Sequence, residues 1–230
     1  NNTVFKALYG LSRSGDLFTI NPSTGAGTLV ANVSSFGTEL VYNANSGRAW
    51  LQRPDDTIQE INIVTGATIG SPVSDSVEFL GLAFIGNTLY GDYKTSPGGD
   101  STLATLNPQT GIKTDIGGPL LPFPVSGLAW DEFANMYAVR RGLTHGLYKV
   151  NILTGTATLI GPTGTGPVGG LRFANGNLYM TATVGGPGPS NLYTLNIATG
   201  TATLVGATGF NNVVGLAMIA KEGTSNQMML

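Results

Sequence analysis

Basic side chains recur where aligned β-like runs end, and their type suits them to bind a ligand. They are Arg13, Arg53, Lys94, Arg140 and Arg141. Aspartates lie near them in the sequence, among them Asp16, Asp55 and Asp92. Together these residues predict a mixed-charge rim that contacts a sugar, a peptide or an anionic group. The alternative is a solvated loop surface, on which isolated ion pairs contribute little.

The aromatic residues fall into two groups. One group occupies a single aligned position along the chain: Tyr9, Trp50, Tyr90, Tyr137 and Tyr179. A recurrent aromatic is typical of contacts between repeated units, although a ring of aromatics would also suit stacking on sugars. Tyr93, Phe123 and Phe210 do not recur and fall in predicted long loops, so we expect exposed contact residues there. Asp92 and His145 complete the predicted ligand-binding set.

Two charged residues interrupt aligned runs that are otherwise apolar or glycine. Glu39 replaces the glycine found at 81, 127, 170 and 215, and Arg172 replaces a valine or alanine. These runs are predicted to line a central channel, so we expect both side chains to face it. Because a buried charge without a partner is costly, we expect a Glu39–Arg172 ion pair or an anion held by Arg172. A structural role for both residues is the alternative.

Familiar catalytic and metal-binding patterns do not stand out. With no cysteine and one histidine, we expect no metal and no cofactor. Residues 164–169 match the dinucleotide fingerprint, but a strand rather than a helix is predicted after them. Serine-type catalysis would have only His145, without a nucleophile-elbow sequence. Carboxylates suited to glycoside hydrolysis occur in predicted inner strands without a distinctive spacing: Glu39, Glu78, Asp92 and Asp131.

A repeat defines the elements that position these residues. The sequence Asn-x-x-Thr-Gly occurs five times, beginning at Asn21, Asn62, Asn107, Asn151 and Asn196. The copies are 41, 45, 44 and 45 residues apart. This period, with four short β-like runs per unit, is typical of propeller blades. Asn and Gly at these places predict a type I turn with a glycine bulge between the third and fourth strands.

The order of the runs predicts how the ring closes. In the third unit the four runs, named a to d, are 81–84, 88–91, 103–106 and 113–116. The chain starts at a strand b and has an unpaired strand a at 213–219. We therefore predict an all-β, five-bladed β-propeller with four antiparallel strands per blade. C-terminal strand a would join N-terminal strands b, c and d, giving one domain over 1–220 and a tail or linker over 221–230.

The composition favours an exported protein. Only 10% of the residues are charged and the formal net charge is −2, which argues against a nucleic-acid surface. No apolar run approaches the length of a membrane helix. Low charge and abundant Gly, Thr and Asn favour a secreted or cell-surface protein whose signal peptide has been removed.

The unit pattern resembles a broad, functionally uncharacterised group of secreted bacterial β-propeller repeat proteins. Their units read roughly Gly-Leu-Ala-Phe, Leu-Tyr-Gly, Leu-Tyr-x-Ile-Asn-x-x-Thr-Gly and Ala-Thr-Leu-Ile-Gly. The best matches here are residues 147–161 and 192–206. The resemblance covers essentially the whole chain and implies a fold and an exported location. It implies no specific activity, because the matching residues are turns and core.

Loops on a rigid scaffold commonly carry function, and the long b–c and d–a loops share one face of the predicted ring. We therefore expect a non-enzymatic binding module that recognises a carbohydrate or a protein through this face. The first alternative is a structural subunit that self-assembles into a surface layer, a fibre or a larger secreted assembly. The second alternative is a glycoside hydrolase or lyase.

Overall fold

The computed structural model describes residues 5–33, 37–94, 100–121, 124–131, 133–140, 145–183 and 188–221. The regular elements of these residues are strands. In chain order they are β1 (Phe5–Ser12), β2 (Asp16–Ile20), β3 (Gly27–Asn32), β4 (Glu39–Asn43), β5 (Arg48–Arg53), β6 (Thr57–Ile61), β7 (Thr68–Ser74), β8 (Phe79–Ile85), β9 (Thr88–Lys94), β10 (Ser101–Leu106), β11 (Lys113–Leu121), β12 (Val125–Trp130), β13 (Met136–Arg140), β14 (Gly146–Asn151), β15 (Thr156–Pro162), β16 (Val168–Ala174), β17 (Asn177–Thr183), β18 (Pro189–Leu195), β19 (Ala202–Asn211) and β20 (Val213–Lys221).

The strands form five antiparallel four-stranded sheets, each of which is one blade. From the innermost strand outward, blade 1 is β20-β1-β2-β3 and blade 2 is β4-β5-β6-β7. Blades 3, 4 and 5 are β8 to β11, β12 to β15 and β16 to β19 in the same order. This arrangement confirms the predicted five-bladed propeller, with strands a to d running from the channel to the rim.

Blade 1 is built from both ends of the described chain, as predicted. β20 pairs antiparallel with β1, from Phe5 opposite Lys221 to Ser12 opposite Val213. This pairing joins the last inner strand to the first three strands and closes the ring. β20 includes Lys221, which the sequence assigned to the tail, and residues 222–230 lie outside the described part.

The hydrophobic core lies between the blades. Each of five clusters of buried residues combines side chains from two neighbouring blades. Between blades 1 and 2, for example, Leu11 and Leu17 lie with Leu40 and Leu51. The recurrent aromatics of strand b belong to these clusters: Tyr9, Trp50, Tyr90, Tyr137 and Tyr179. They therefore hold adjacent blades together, and they do not form an exposed stacking ring.

The repeated Asn-x-x-Thr-Gly segment forms the predicted turn between strands c and d. In the third copy, Asn107 Oδ1 accepts hydrogen bonds from the backbone N–H groups of Gln109 and Thr110, at 2.9 and 3.3 Å. The Gly111 N–H donates to the Asn107 carbonyl oxygen at 2.8 Å. Gly111 has a φ of 73°, which a side chain would disfavour. The asparagine thus stabilises the turn, and the glycine permits it.

The turn glycine also meets the preceding blade. A β-carbon on Gly111 would collide with the Ser74 carbonyl oxygen of β7. Among the other turn glycines, Gly25, Gly155 and Gly200 lie against the backbone of residues 206, 116 and 161 of the blade before them, and Gly66 lies against the Ala31 side chain. The repeat therefore requires glycine twice, for the backbone conformation and for the close approach of neighbouring blades.

Candidate functional site

A cavity of about 130 Å³ lies on the face that carries the b–c and d–a connections, which we call the long-loop face. All five blades contribute to its lining, and five of the lining residues stand at the start of the innermost strands: Val214, Thr38, Leu80, Ser126 and Gly169. Because the innermost strands surround the channel, the cavity is the mouth of that channel. Arg13 and Glu78 also line it and supply charges of both signs.

The ring of residues just below the mouth is almost entirely glycine. A β-carbon on Gly170 would lie 2.7 Å from Leu216 N, and one on Gly127 would lie 2.9 Å from Leu171 N. Neighbouring inner strands thus approach too closely for a side chain at these points. In blade 2 the equivalent residue is Glu39, the first residue of β4.

The Glu39 carboxylate is held against the inner strands of blades 1 and 2. Its Oε1 accepts a hydrogen bond from the Leu40 N–H at 2.9 Å. The Leu216 N–H also stabilises the charged form of the carboxylate and so lowers its pKa. Oε1 lies 2.9 Å from the point where a β-carbon on Gly215 would stand. Glu39 is only 1% exposed, so its carboxylate is enclosed by the inner strands.

A second buried carboxylate, Asp92 in β9, raises the pKa of Glu39 through its charge. Asp92 is 0% exposed and accepts a hydrogen bond from the Ser101 hydroxyl at 3.2 Å. Burial raises the pKa of Asp92 to about 7, against the opposing effect of that hydroxyl. Burial also raises the pKa of Glu39 well above its ordinary value, and the Asp92 charge adds to this, against the N–H groups of Leu40 and Leu216. Each residue is therefore costly to ionise in this environment.

The expected ion pair between Glu39 and Arg172 is not formed. Glu39 Oε2 has no hydrogen-bond partner, and the described ion pairs, Arg48–Glu60, Arg53–Asp55 and Lys113–Asp115, do not include Glu39. Leu171 belongs to the cluster between blades 4 and 5. Since side chains alternate along a strand, Arg172 points to the other side of blade 5, toward blade 1. The Arg172 charge still acts on the Glu39 carboxylate and lowers its pKa, and the expectations that Arg172 faces the channel and binds an anion there stay predictions.

The predicted basic rim lies on the long-loop face, because strand b ends there in every blade. Arg13 is exposed and lines the cavity. Arg53, Lys94 and Arg140 stand at the ends of β5, β9 and β13, with Arg53 paired to Asp55 at 3.3 Å. His145 Nδ1 lies 3.4 Å from the Arg140 carbonyl oxygen. Arg141 and Phe123 fall outside the described residues, and ligand binding by this set stays a prediction.

Two predicted contact aromatics take part in internal packing. Tyr93 is buried in β9, with its ring edge-on to Phe79 and its hydroxyl 2.9 Å from Asp115 Oδ1. Lys113 Nζ donates to the same hydroxyl at 2.8 Å. Phe210 lies within β19 rather than in a loop, and it stacks on the buried Phe18 with ring centroids 3.9 Å apart. Tyr93 is therefore not an exposed contact residue, and Phe210 presents at most one side of its ring.

The carboxylates considered for glycoside hydrolysis do not gather in one place. Asp131 lies between β12 and β13, at the opposite face, where it accepts hydrogen bonds from the N–H groups of Phe133 and Asn135 at 2.8 and 2.9 Å. Glu78 lines the mouth, while Glu39 and Asp92 are buried. Within the described ranges, no three His, Asp or Glu side chains cluster as a metal site. No helix in those ranges is long and apolar enough to cross a membrane.

Several residues of the mouth were missed at the sequence level. Thr38, Leu80, Ser126, Gly169 and Val214 each precede the aligned strand-a position held by Glu39 or glycine. Aligning the five strands a and moving one residue toward the long-loop face would have identified them. They carry no charge or aromatic ring, which is why residue type alone did not indicate them.

The comparisons with known proteins support the fold. No family model matches the chain, and no curated protein matches it in sequence. The chain is similar to one in a crystal structure of a nidogen/laminin complex, with a TM-score of 0.59 and 10% identity. The match covers 93% of this chain and 98% of that one. At this identity the likeness shows a shared β-propeller fold alone; membership of a secreted bacterial repeat group stays a prediction.

Proposed function

We propose that this chain is a non-enzymatic, exported binding module that recognises a protein through the long-loop face. The observation that carries the proposal is the cavity at the channel mouth, the place where residues of all five blades meet. The c–d turns and the cores between blades repeat around the ring, but at the mouth the blades contribute different groups: Arg13, Glu78, Ser126 and Val214 among them. A surface on which the repeats differ is suited to selecting one partner.

The size of the cavity favours a protruding side chain as its occupant. At about 130 Å³ it is smaller than the roughly 300–1,000 Å³ typical of pockets for drug-sized ligands and cofactors. A loop of a partner protein could insert one residue while its flanks contact the charged rim. The similar structure is a complex between two proteins, which adds weight to a protein partner over a carbohydrate.

The proposal is tested by selecting peptides from a random displayed library on the immobilised chain and measuring their affinity by calorimetry. Arg13→Glu and Glu78→Lys should each weaken the selected peptides at least tenfold, because each reverses a charge at the mouth. Lys149→Glu is the matched control, since Lys149 is an exposed cation on β14. Equal affinity for all three variants would contradict the proposal. A panel of glycans raising the unfolding midpoint, where peptides do not, would replace protein by carbohydrate.

A second candidate, self-assembly as a structural subunit, rests on the outermost strands. Apolar residues on strands d of four blades are 46–58% exposed: Leu29, Ile69, Leu159 and Leu204. An outermost strand also leaves backbone groups of its outer edge unpaired, which invites pairing with another chain. Light scattering over a hundredfold concentration range tests this candidate. Ordered assemblies in the native chain that disappear in a Leu159→Lys, Leu204→Lys variant would support it, and a constant monomer mass would remove it.

A further inference from the structure

Exposed apolar side chains concentrate on the face of the ring that carries the a–b and c–d turns, which we call the short-turn face. Nine large apolar side chains in the described ranges are exposed, and five of them belong to these turns: Val64, Ile112, Phe133, Leu153 and Ile197. The other four lie on outermost strands. The most exposed of the nine are Leu153, Phe133 and Ile112, at 85%, 78% and 68%. Apolar exposure gathered on one face is typical of an interaction surface.

The same turns bring little charge to the short-turn face. Among the described residues of the a–b and c–d turns, the charged one is Asp131. It is 3% exposed and accepts hydrogen bonds from N–H groups of its own turn. Arg48 and Lys113 begin the strands that follow two of the turns, and each is paired within its own blade, with Glu60 and Asp115. Depletion of charge is typical of the buried core of a protein interface.

A cavity of about 340 Å³ opens on the short-turn face at blade 2. Gly47 of the a–b turn and Val64 of the c–d turn both line it, so it lies between these two turns. Its wall is mainly aliphatic: Ile61, Ile63, Val64, Ile69 and Ile219. Arg48 and Glu60 also line it and form an ion pair with each other. An apolar side chain can therefore enter the cavity without separating a charge from its partner.

Blade 4 carries projections that match this cavity. Phe133 stands in the a–b turn of blade 4, and Leu153 stands in its c–d turn. These are the same two turns between which the cavity of blade 2 lies, and they are the two most exposed apolar residues of the described ranges. Because projections and cavity share one face of the ring and lie two blades apart, they can meet only between two copies of the chain.

A two-fold axis that lies in the plane of the face brings the projections and the cavity together. Blades 2 and 4 are the two neighbours of blade 3, since clusters of buried side chains join blade 3 to each of them. An axis through blade 3 therefore places blade 4 of each copy on blade 2 of the other. Both contacts form at once, as a closed two-fold dimer requires. Ile112, the third most exposed apolar residue, stands in the c–d turn of blade 3 and would meet its own counterpart near the axis.

We propose that two copies of this chain form a closed dimer through the short-turn face, with Phe133 and Leu153 of each copy seated at the blade 2 cavity of the other. The two long-loop faces then point away from each other, and both channel mouths stay accessible. The inference is therefore independent of recognition at the mouth. It also differs from assembly through the outermost strands, because a two-fold contact is complete after two copies.

The first test is sedimentation equilibrium of the whole chain over a hundredfold concentration range, which should reach the mass of two chains. Leu153→Asp and Phe133→Asp should each raise the dissociation constant at least about a hundredfold. Burying one such side chain contributes about tenfold or more, and a two-fold dimer contains each contact twice. Leu204→Asp is the matched control, since Leu204 is 58% exposed on the outermost strand β19, and it should dimerise like the native chain. Unchanged circular dichroism shows that the variants are folded.

The second test uses a disulfide to locate the axis. The chain contains no cysteine, so Ile112→Cys introduces a single thiol per copy. Near a two-fold axis the two thiols lie close together, and a disulfide needs α-carbons within about 7 Å. Mild oxidation should therefore link Ile112→Cys into covalent dimers at least about ten times faster than it links Leu204→Cys, the control on the rim.

Several results would overturn the proposal. One is a constant mass of one chain across the concentration range. If such a monomer binds vesicles of phosphatidylcholine and loses this binding in Leu153→Asp, the short-turn face belongs to a lipid surface instead. Another is a dimer that survives in both Leu153→Asp and Phe133→Asp, or that is lost in Leu204→Asp, which would place the contact at the rim. Equal linking of Ile112→Cys and Leu204→Cys would remove the axis through blade 3 and with it the pairing of blades 2 and 4.

Discussion

Glycine is required in the c–d turns for two reasons: the left-handed backbone conformation and the close approach of the preceding blade. Two substitutions in blade 3 separate the contributions of these two reasons to stability. Gly111 and Gly86 both have positive φ, of 73° and 60°. A β-carbon on Gly111 would meet the Ser74 carbonyl oxygen, whereas one on Gly86 would meet nothing within 4 Å. Alanine at Gly86 therefore measures the conformational cost alone. Alanine at Gly111 measures that cost together with the displacement of blade 2.

The expected magnitudes follow from these two terms. A left-handed backbone costs a residue with a β-carbon about 1–2 kcal/mol, which is our estimate for Gly86→Ala. Forcing an extra atom into a filled contact adds about 1–3 kcal/mol. Gly111→Ala should therefore destabilise the chain by about 2–5 kcal/mol. The second term cannot be relieved by a rotamer change, because the opposing atom belongs to the backbone of Ser74.

The assay is urea unfolding of both variants and the native chain, with thermal unfolding as a second measure. For a chain of this size the difference between the variants corresponds to roughly 2–12 °C in midpoint. Gly200→Ala and Gly176→Ala repeat the comparison in blade 5, where a β-carbon on Gly200 would lie 2.5 Å from the Gly161 carbonyl oxygen and one on Gly176 would meet nothing within 4 Å. Equal losses within each pair would refute the reasoning, since they would leave only the backbone conformation as a cause.

Three further substitutions probe individual contacts. Thr181→Val should cost about 1–3 kcal/mol in urea unfolding, because the Thr181 hydroxyl accepts the buried Gly170 N–H at 3.0 Å and valine leaves it unsatisfied. Phe79→Ala should cost about 3–5 kcal/mol, since Phe79 is 0% exposed. The Asn32 amide, with nearby serine hydroxyls, lowers the pKa of Asp16, so Asp16→Asn should destabilise the chain at pH 7. This difference in the free energy of unfolding should disappear as the pH falls through the folded-state pKa, because Asp16 of the native chain is then protonated in both the folded and the unfolded state.

Each of these has a contradicting result. Thr181→Ser keeps the hydroxyl and should retain most of the stability, so a similar loss in serine and valine variants would exclude the hydrogen bond as the cause. A cost below about 1 kcal/mol for Phe79→Ala would show that the interface between blades 2 and 3 repacks easily. An Asp16→Asn difference that persists unchanged at low pH would show that the aspartate charge is not responsible.

The periodic part of the fold could be predicted because the same local physics recurs five times. Asn107 and Gly111 specify their turn through bonds within five residues, as do their counterparts in the other blades. The recurrent aromatic, as at Trp50 and Tyr137, indicated a contact between neighbouring blades that is repeated around the ring. Ring closure followed from counting strands at the two ends. None of these inferences needed a distance between residues far apart in the chain.

The residues that interrupt the repeat were harder to place. Tyr93 has the sequence context of a loop residue. In the structure its hydroxyl donates a hydrogen bond to Asp115 and accepts one from Lys113, both on the outer strand of the same blade. Arg172 shares strand a with channel residues, but the alternation of side chains turns it between blades. The strand order predicted which loops share a face of the ring, whereas the uncharged lining of the channel mouth depends on how five strands converge. Which uncharged residues meet at the mouth depends on contacts between distant parts of the chain, and a single sequence does not indicate those contacts.

Closure by β1 and β20 has a mechanical consequence. Phe5 lies opposite Lys221 at one end of the ladder, and Ser12 lies opposite Val213 at the other. A pulling force applied through Phe5 and Lys221 acts on the same end of the pair. The ladder then opens like a zipper, one rung after another, instead of resisting with all its hydrogen bonds in shear. When the two ends are pulled apart, the β1–β20 pairing in blade 1 should therefore separate first. The other four blades would bear the force only after the ring had opened.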